Sequence, residues 1–597
     1  MRVYLAAIAL LCLVHLPLYG AEKSKHKIEW SGWTDDLFER AKKENRFVIL
    51  DLEAVWCHWC HVMEEKTYSN AKVIDLIRLH FLPVRVDQDS RPDLSNLYED
   101  YGWPATVIFA PNGEELAKER GFIEPAAMAQ LLQEIINDPR PRKSAISENK
   151  LQLPESAFLT STKRETLRKD YLASYDHKHG GWGSGHKLVD ADSMEWAMRQ
   201  AANGDKVSEQ MAQETLTRVM KLLDPAWGGV YQYSVGGDWN QPHFEKIMMV
   251  QADAIRTYAL AYSLWRDKTH LKMASETQRF LQTFLMSPEG AFYTSQDADL
   301  VQGQHSDSYF ALSDKKRRAK GIPRVDKHIY SRENGWAASA LVLLGMATED
   351  DKPIGIAEKA ASWILAHRLL PGGGFRHGDD DGGRVYLGDS LTMGQTFLNL
   401  YMATGDRKWL GHARTAADFV DMNFGYTDPA GRRGGYITAN TREKQRLRPQ
   451  RDENVAVVRF CNLLHQYTGD ANYRKMAEDA MRFLVSPAVL ERFPFTSVLI
   501  ADTELSSAPL HLTIVGSKND SAAKDLFRVA LAYPSSYKRG EWWDKKEGDL
   551  PRADVTYPEL KTAAAFVCTN SRCSLPITKS TDLREKISRI LSSSNAR

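Results

Sequence analysis

Cys57-His58-Trp59-Cys60-His61 sets two thiols three residues apart with an imidazole after each. An apolar run from Phe47 to Leu52 precedes it and reads as a buried strand, while Val62, Met63 and Lys66 carry a helical pattern onward. A thiol placed where a strand turns into a helix meets unpaired backbone N–H groups and the positive end of the helix dipole, both of which favour an anion. Cys57 is therefore the expected thiolate, its pKa drawn from about 8.5 toward roughly 3.5–7.5, with His58 and His61 beside it. Cys60, one turn further in, is placed to attack a mixed disulfide formed at Cys57. The chemistry expected of these four side chains is thiol–disulfide exchange.

Cys-x-x-Cys-His is also the attachment signature of c-type haem, with His61 as the axial ligand. Haem needs a second ligand and a small helical shell, whereas this motif sits among alternating strands and helices, a context that favours a redox dithiol. Half of a zinc site is excluded by the lack of a second Cys-x-x-Cys. No metal and no cofactor beyond the redox-active disulfide is expected. A second set of candidates lies further on: His243 and Glu245 on a loop entering a helix, and Asp297 and Asp299 after a glycine turn. Trp227, Tyr231 and Trp239 could stack on sugar faces beside them. Paired carboxylates are what a glycosidase or epimerase needs, but they also serve as helix caps and partners of Arg and Lys.

These groups must be positioned by a chain of 597 residues with 43% hydrophobic and 26% charged side chains, an ordinary globular composition with room for several domains. A net charge of +1 without a long basic run excludes a general nucleic-acid binder. Residues 1–21, with Arg2, an apolar stretch from Leu5 to Leu18 and the small pair Gly20-Ala21, read as a Sec-type signal peptide. The folded part is then secreted or periplasmic, with no stable membrane span after cleavage. Of the remaining cysteines, Cys568 and Cys573 are close enough to pair in an oxidising compartment, and Cys461 falls in a helical core pattern.

Residues 22–138 give a βαβαββα order: strands at Phe47, Phe81 and Ala105, a Pro111-Asn112-Gly113 hairpin turn, and a closing helix from Pro125 to Ile136. Residues 139–152 read as a proline-broken linker. From 153 to 505, long helical patterns alternate with glycine turns at Gly181, Gly229, Gly290, Gly373 and Gly435, spaced 48, 61, 83 and 62 residues apart. Two helices with their connections fill such an interval, so the expected fold is an (α/α)6 toroid of helical hairpins, with an open solenoid as its rival. The glycine turns are expected at the barrel mouth, close to a ligand. Residues 506–597 read as a small α/β appendage packed on the barrel.

The dithiol segment resembles thioredoxins in its Ala54-Val55-Trp56-Cys57 approach. That likeness implies that Asp51 handles the proton of the second cysteine and that Pro104, after Trp103, is a cis-proline facing the dithiol. The chain as a whole resembles the bacterial YyaL and spermatogenesis-associated-protein-type family, in which a thioredoxin-like domain is fused to a six-hairpin glycosidase-like barrel. Cys57 to Glu64, Val86-Asp87, Arg91-Pro92-Asp93, Gly102-Trp103-Pro104, Pro242 to Lys246, Gln296 to Asp299, Asp326-Lys327 and Asn334-Gly335 carry it. It adds Asp326 to the expected pocket. This chain departs from the family pattern at Leu300 to Gln304, at Glu333, and near Arg451-Asp452-Glu453-Asn454. The function expected is an exported thiol–disulfide oxidoreductase acting on protein thiol or disulfide clients or a redox partner, with the barrel holding client or ligand. The alternative is a carbohydrate-active enzyme with a possible carbohydrate ligand and an accessory thioredoxin-like domain.

Overall fold

The computed structural model describes residues 27–142, 151–440, 447–492, 496–569 and 572–586. The expected signal peptide, 1–21, and most of the expected linker lie outside them.

The N-terminal domain is a four-stranded sheet in the order β2-β1-β3-β4, built from β1 (Phe47–Glu53), β2 (Phe81–Asp87), β3 (Ala105–Phe109) and β4 (Glu115–Arg120). β1 and β2 run parallel, β3 and β4 antiparallel to their neighbours. β1 is buried on both faces, which is why its sequence is a continuous apolar run rather than an alternation. One face packs Val73, Ile77, Met128 and Leu132 of α3 (Ala71–His80) and α5 (Pro125–Asn137); the other packs Leu37 and Ala41 of α1 (Leu37–Glu44). This is a thioredoxin-like domain, and α2 (His58–Lys66) begins directly after the Cys57 turn.

Six inner helices, Ala191–Ala202, Met248–Trp265, Ser331–Thr348, Leu387–Thr404, Arg451–Thr468 and Thr496–Ser506, stand side by side. The last of them packs against the first, which closes the ring and excludes the open solenoid. Helices such as Asp351–Arg368 and Arg407–Phe424 form the outer layer. Ser331–Thr348 and Leu387–Thr404 are apolar nearly all round because they touch neighbours on both sides and the outer helices behind.

The glycine turns, expected at a ligand, are pressed against the outer helices. A Cβ on Gly228 would meet the backbone oxygen of Glu276 at 2.2 Å, and one on Gly373 would meet Thr415 Cγ2 at 2.0 Å, with φ of +73° and +93°. Each turn therefore lets the chain lie against the next outer helix. The C-terminal appendage is a four-stranded sheet, with Leu510–Val515 paired to Lys538–Trp543 and to Ala564–Thr569. Cys568 and Cys573 are bonded across its edge, and Cys461 is a buried free cysteine.

Candidate functional site

Cys57 is the N-cap of α2, and its Sγ accepts the Cys60 N–H at 3.2 Å while bonded to Cys60. The Trp103–Pro104 bond is cis. Asp51 is buried in β1, with Arg85 Nε donating to Oδ2 at 2.8 Å. Burial raises the Asp51 pKa, against the pull of the Arg85 charge.

The dithiol is not at the surface. Cys57 and Cys60 are 4% and 3% exposed, because the barrel loops carrying Glu245 and Asp299 lie over the start of α2. The His58 N–H, one of the donors a helix start leaves unpaired, donates to Glu245 Oε1 at 3.3 Å. The negative charge favoured at this helix start is therefore supplied by a barrel carboxylate. Asp299 takes both imidazoles: His58 Nδ1 lies 2.7 Å from Oδ1 and His61 Nδ1 lies 3.0 Å from Oδ2. The Ala298 N–H donates to the carbonyl of Trp56 at 3.3 Å, and a Cβ on Gly303 would lie 3.4 Å from the His61 carbonyl.

His61 Nε2 donates to the Val55 carbonyl at 3.2 Å, so Nδ1 faces Asp299, and Asp297 at 3.7 Å, as a hydrogen-bond donor only if the ring is an imidazolium. Burial opposes that charge, but the hydrogen bond to Asp299 and the Asp297 charge outweigh it and raise the His61 pKa. For Asp299, burial is overcome by the hydrogen bonds from His58 and His61, and its pKa falls. Asp297, with burial as the largest cause and His61 pulling the other way, is pushed up to about 6. His61, Asp297 and Asp299 bring one ligand atom each within 4.8 Å, a spacing that can hold a metal ion. Here the carboxylates are already engaged: Asp297 accepts from Asp299 N and Gln302 Nε2, and Asp299 accepts from Gly303 N as well as the histidines. When protonated, His61 offsets part of their charge, and the cluster ties the two domains together as a clasp.

His243, Glu245, Asp297 and Asp299 thus come together, but against the dithiol helix and not around a barrel pocket. His243 stacks on Tyr233 at 4.5 Å and lies 6.3 Å from the Trp59 ring. The aromatic candidates are elsewhere in the core. Trp227 donates Nε1 to Asp314 Oδ1 at 2.7 Å under the Arg317 guanidinium, Tyr231 packs edge-on to Phe244, and Trp239 donates to the His179 carbonyl at 2.8 Å. Asp326 is buried beside His328, 2.5 Å from its Nδ1. None of these eight side chains lines the cavity inside the barrel; each is held by packing or by its own polar partner.

A cavity of about 760 Å³ does occupy the barrel, lined by other residues. Trp56, Asp89 and Trp103 of the thioredoxin-like domain close one end, and Tyr533, Tyr537 and Lys538 of the appendage line it as well. The inner helices contribute Asp253, Arg256, Glu333, Trp336, Asp452 and Arg459. Trp56 Nε1 donates to Asp89 Oδ2 at 2.7 Å, and His377 Nε2 reaches the Asp89 carbonyl at 2.7 Å as a second tie between the domains. Sequence reasoning named Trp56, Trp103, Glu333 and Asp452 only as parts of the resemblance or departures from it, and assigned none of these residues to a pocket. The signal was present: charged side chains such as Asp253 and Arg256 interrupt the otherwise apolar helix Met248–Trp265.

A thioredoxin-like domain docked by its dithiol helix onto a closed six-hairpin barrel defines the class. The family described as "Protein of unknown function, DUF255", labelled as a DsbH-type thioredoxin, matches residues 16–157. Along nearly its whole length the chain is related to spermatogenesis-associated protein 20 of Homo sapiens, 22% identical over 95% of this chain and 90% of that one. The thiol:disulfide interchange protein DsbD 2 of Pseudomonas aeruginosa is 32% identical over 13% of this chain and 14% of its own. Cellobiose 2-epimerase from Bacillus thermoamylovorans B4167 is similar in structure over 54% of this chain and 87% of its own, at 13% identity and a TM-score of 0.43.

Proposed function

We propose that this protein is a thiol–disulfide oxidoreductase whose helical barrel holds the molecule that exchanges with the dithiol. The observation that carries the reading is the bonded Cys57–Cys60 pair at the start of α2, with Cys57 as N-cap and Cys60 one turn inside. A helix start favours the thiolate of the outer cysteine, which makes Cys57 the attacking group and Cys60 the resolving one. The likeness of this segment to a thiol:disulfide interchange protein supports the same reading. His243, Glu245, Asp297 and Asp299, the groups first considered for sugar processing, lie against the dithiol helix. We also infer export from residues 1–21; among the described residues no helix is long and apolar enough to cross a membrane.

The test is to reduce the purified protein, add a neutral small disulfide, and follow thiol loss and the mixed disulfide by mass spectrometry. Cys60→Ser should accumulate a mixed disulfide at Cys57, and Cys57→Ser should not. Equal trapping by both variants, or no exchange in the folded protein, would reject the assignment.

A further inference from the structure

Asp297 and Asp299 are buried, and the groups that meet them are imidazoles, backbone N–H groups and one side-chain amide. Among the described residues no Lys or Arg is ion-paired with either. Two carboxylates therefore share a low-dielectric interface without a permanent cation, and a third belongs to the same interface. The charge of Glu245 is felt at Asp297, and Glu245, 2% exposed, leaves Oε2 without a hydrogen-bond partner among the described residues. Buried charges are ordinarily paired or bound to a metal.

The atoms that face one another here have the spacing of ligands. His61 Nδ1 stands 3.0 Å from Asp299 Oδ2 and 3.7 Å from Asp297 Oδ1, and one atom from each of the three residues lies within 4.8 Å of the others. Ligands bound about 2.0–2.2 Å from a tetrahedral ion are about 3.3–3.6 Å apart, a range these two distances straddle. His61 Nε2 donates to the Val55 carbonyl, the outer bond that turns the other nitrogen of a metal-binding imidazole toward the ion. An unprotonated Nδ1 and the carboxylate oxygens would face one another with lone pairs, so a proton or a cation must lie between them. The hydrogen bonds already made leave room for one, because each oxygen has two lone pairs. Asp297 Oδ1 takes the Asp299 N–H, and Asp299 Oδ2 takes the Gly303 N–H. On the far oxygens, His58 holds Asp299 and Gln302 holds Asp297, as outer partners of ligating carboxylates do.

We propose that His61, Asp297 and Asp299 bind a divalent ion of the zinc type, joining the dithiol helix to the barrel loop. One imidazole with two carboxylates suits zinc better than magnesium or calcium, which take oxygen ligands. Cys57 and Cys60, bonded to each other, supply no sulfur. Glu245 Oε2 is the unpartnered oxygen of the same interface for a fourth position. Binding releases the proton from Nδ1; in the metal-free protein that proton takes the place of the ion. The site is independent of the exchange activity and takes no part in electron transfer.

The experiment measures metal on the oxidised full-length protein, produced in zinc-supplemented medium and purified without chelator. Elemental mass spectrometry should find close to one zinc per chain, and X-ray absorption at the zinc edge should show nitrogen and oxygen ligands, an imidazole among them, and no sulfur. After stripping with EDTA, added zinc should raise the melting temperature and added magnesium should not. Asp297→Asn and His61→Gln should each weaken zinc binding at least roughly tenfold. The wild-type absorption spectrum decides the ligand set even if both variants fail to fold. Adventitious zinc on exposed side chains such as His305 would bind weakly and equally in wild type and variants. That result, sulfur among the ligands, or a purified protein free of zinc would overturn the site, and thiol exchange measured on metal-free protein would be untouched by any of the three.

Discussion

Asp299 is the residue on which the two domains meet, since it holds His58 and His61 together. His61 has a pKa raised above its ordinary value of 6.5. A histidine raised in this way contributes stability that is fully present below its unfolded pKa and is lost as pH rises through the folded value. Asp299, with a lowered pKa, contributes above its unfolded value and loses that contribution only in strong acid. Asp297 works in the opposite direction to Asp299 and has lost its protonated-form advantage by about pH 6. Within the metal-free clasp the change that outlasts Asp297 as pH rises is that of His61, and groups elsewhere titrate alike in the wild type and in an Asp299 variant, so the comparison of the two isolates it. The melting temperature of the wild type should therefore fall between pH 6.5 and 8.5 by more than that of Asp299→Asn, which lacks the charge that holds the proton. At pH 6.5 the variant should melt lower, because breaking a buried ion pair by removing one partner costs about 3–5 kcal/mol. Parallel pH profiles for the two proteins would show that the clasp is not ionised as described.

At the scale of elements, the turns between helices test how the barrel is closed. Gly373 and Gly431 both have a left-handed backbone, with φ of +93° and +80°, but only Gly373 is pressed against a neighbour, Thr415. Gly431→Ala carries the conformational cost alone, and Gly373→Ala adds overpacking of about 1–3 kcal/mol. Gly373→Ala should lower the denaturant midpoint clearly more than Gly431→Ala, with thiol-exchange rates equal in both because neither residue lines the barrel cavity. Equal midpoints would place the glycine turn away from the outer helix. This contrast also shows what was legible in the sequence. The strands that begin at Phe47, Phe81 and Ala105 and the closing helix from Pro125 follow from local periodicity and fall where expected. The hairpin repeat was legible from glycine spacing, but the partner of each glycine was not, since Thr415 lies a whole hairpin away from Gly373. The same holds for the site: Cys57 and Cys60 announce themselves three residues apart, whereas Asp299 reaches His58 across 241 positions.

For the whole molecule, the central relation is that the barrel loops occupy the start of α2, where a thiolate would form on reduction. In the oxidised protein the helix start carries one negative partner, Glu245, on the His58 N–H. Reduction adds the Cys57 thiolate at the N-cap of the same helix, beside that carboxylate. Two anions then compete for one set of backbone donors in a buried interface, where like charges interact more strongly than in water. The docked arrangement should consequently loosen on reduction, and most at a pH where Cys57 is ionised. Small-angle scattering at pH 8 should give a larger radius of gyration for the reduced than for the oxidised protein. Glu245→Gln keeps an acceptor for the His58 N–H but carries no charge, so it should shrink that difference. A Cys57→Ser, Cys60→Ser double variant should stay as compact as the oxidised wild type under reducing conditions. Identical dimensions for the oxidised and reduced wild type would mean that the domains stay docked through the redox cycle, and that any exchange reaches the sulfurs without their separation.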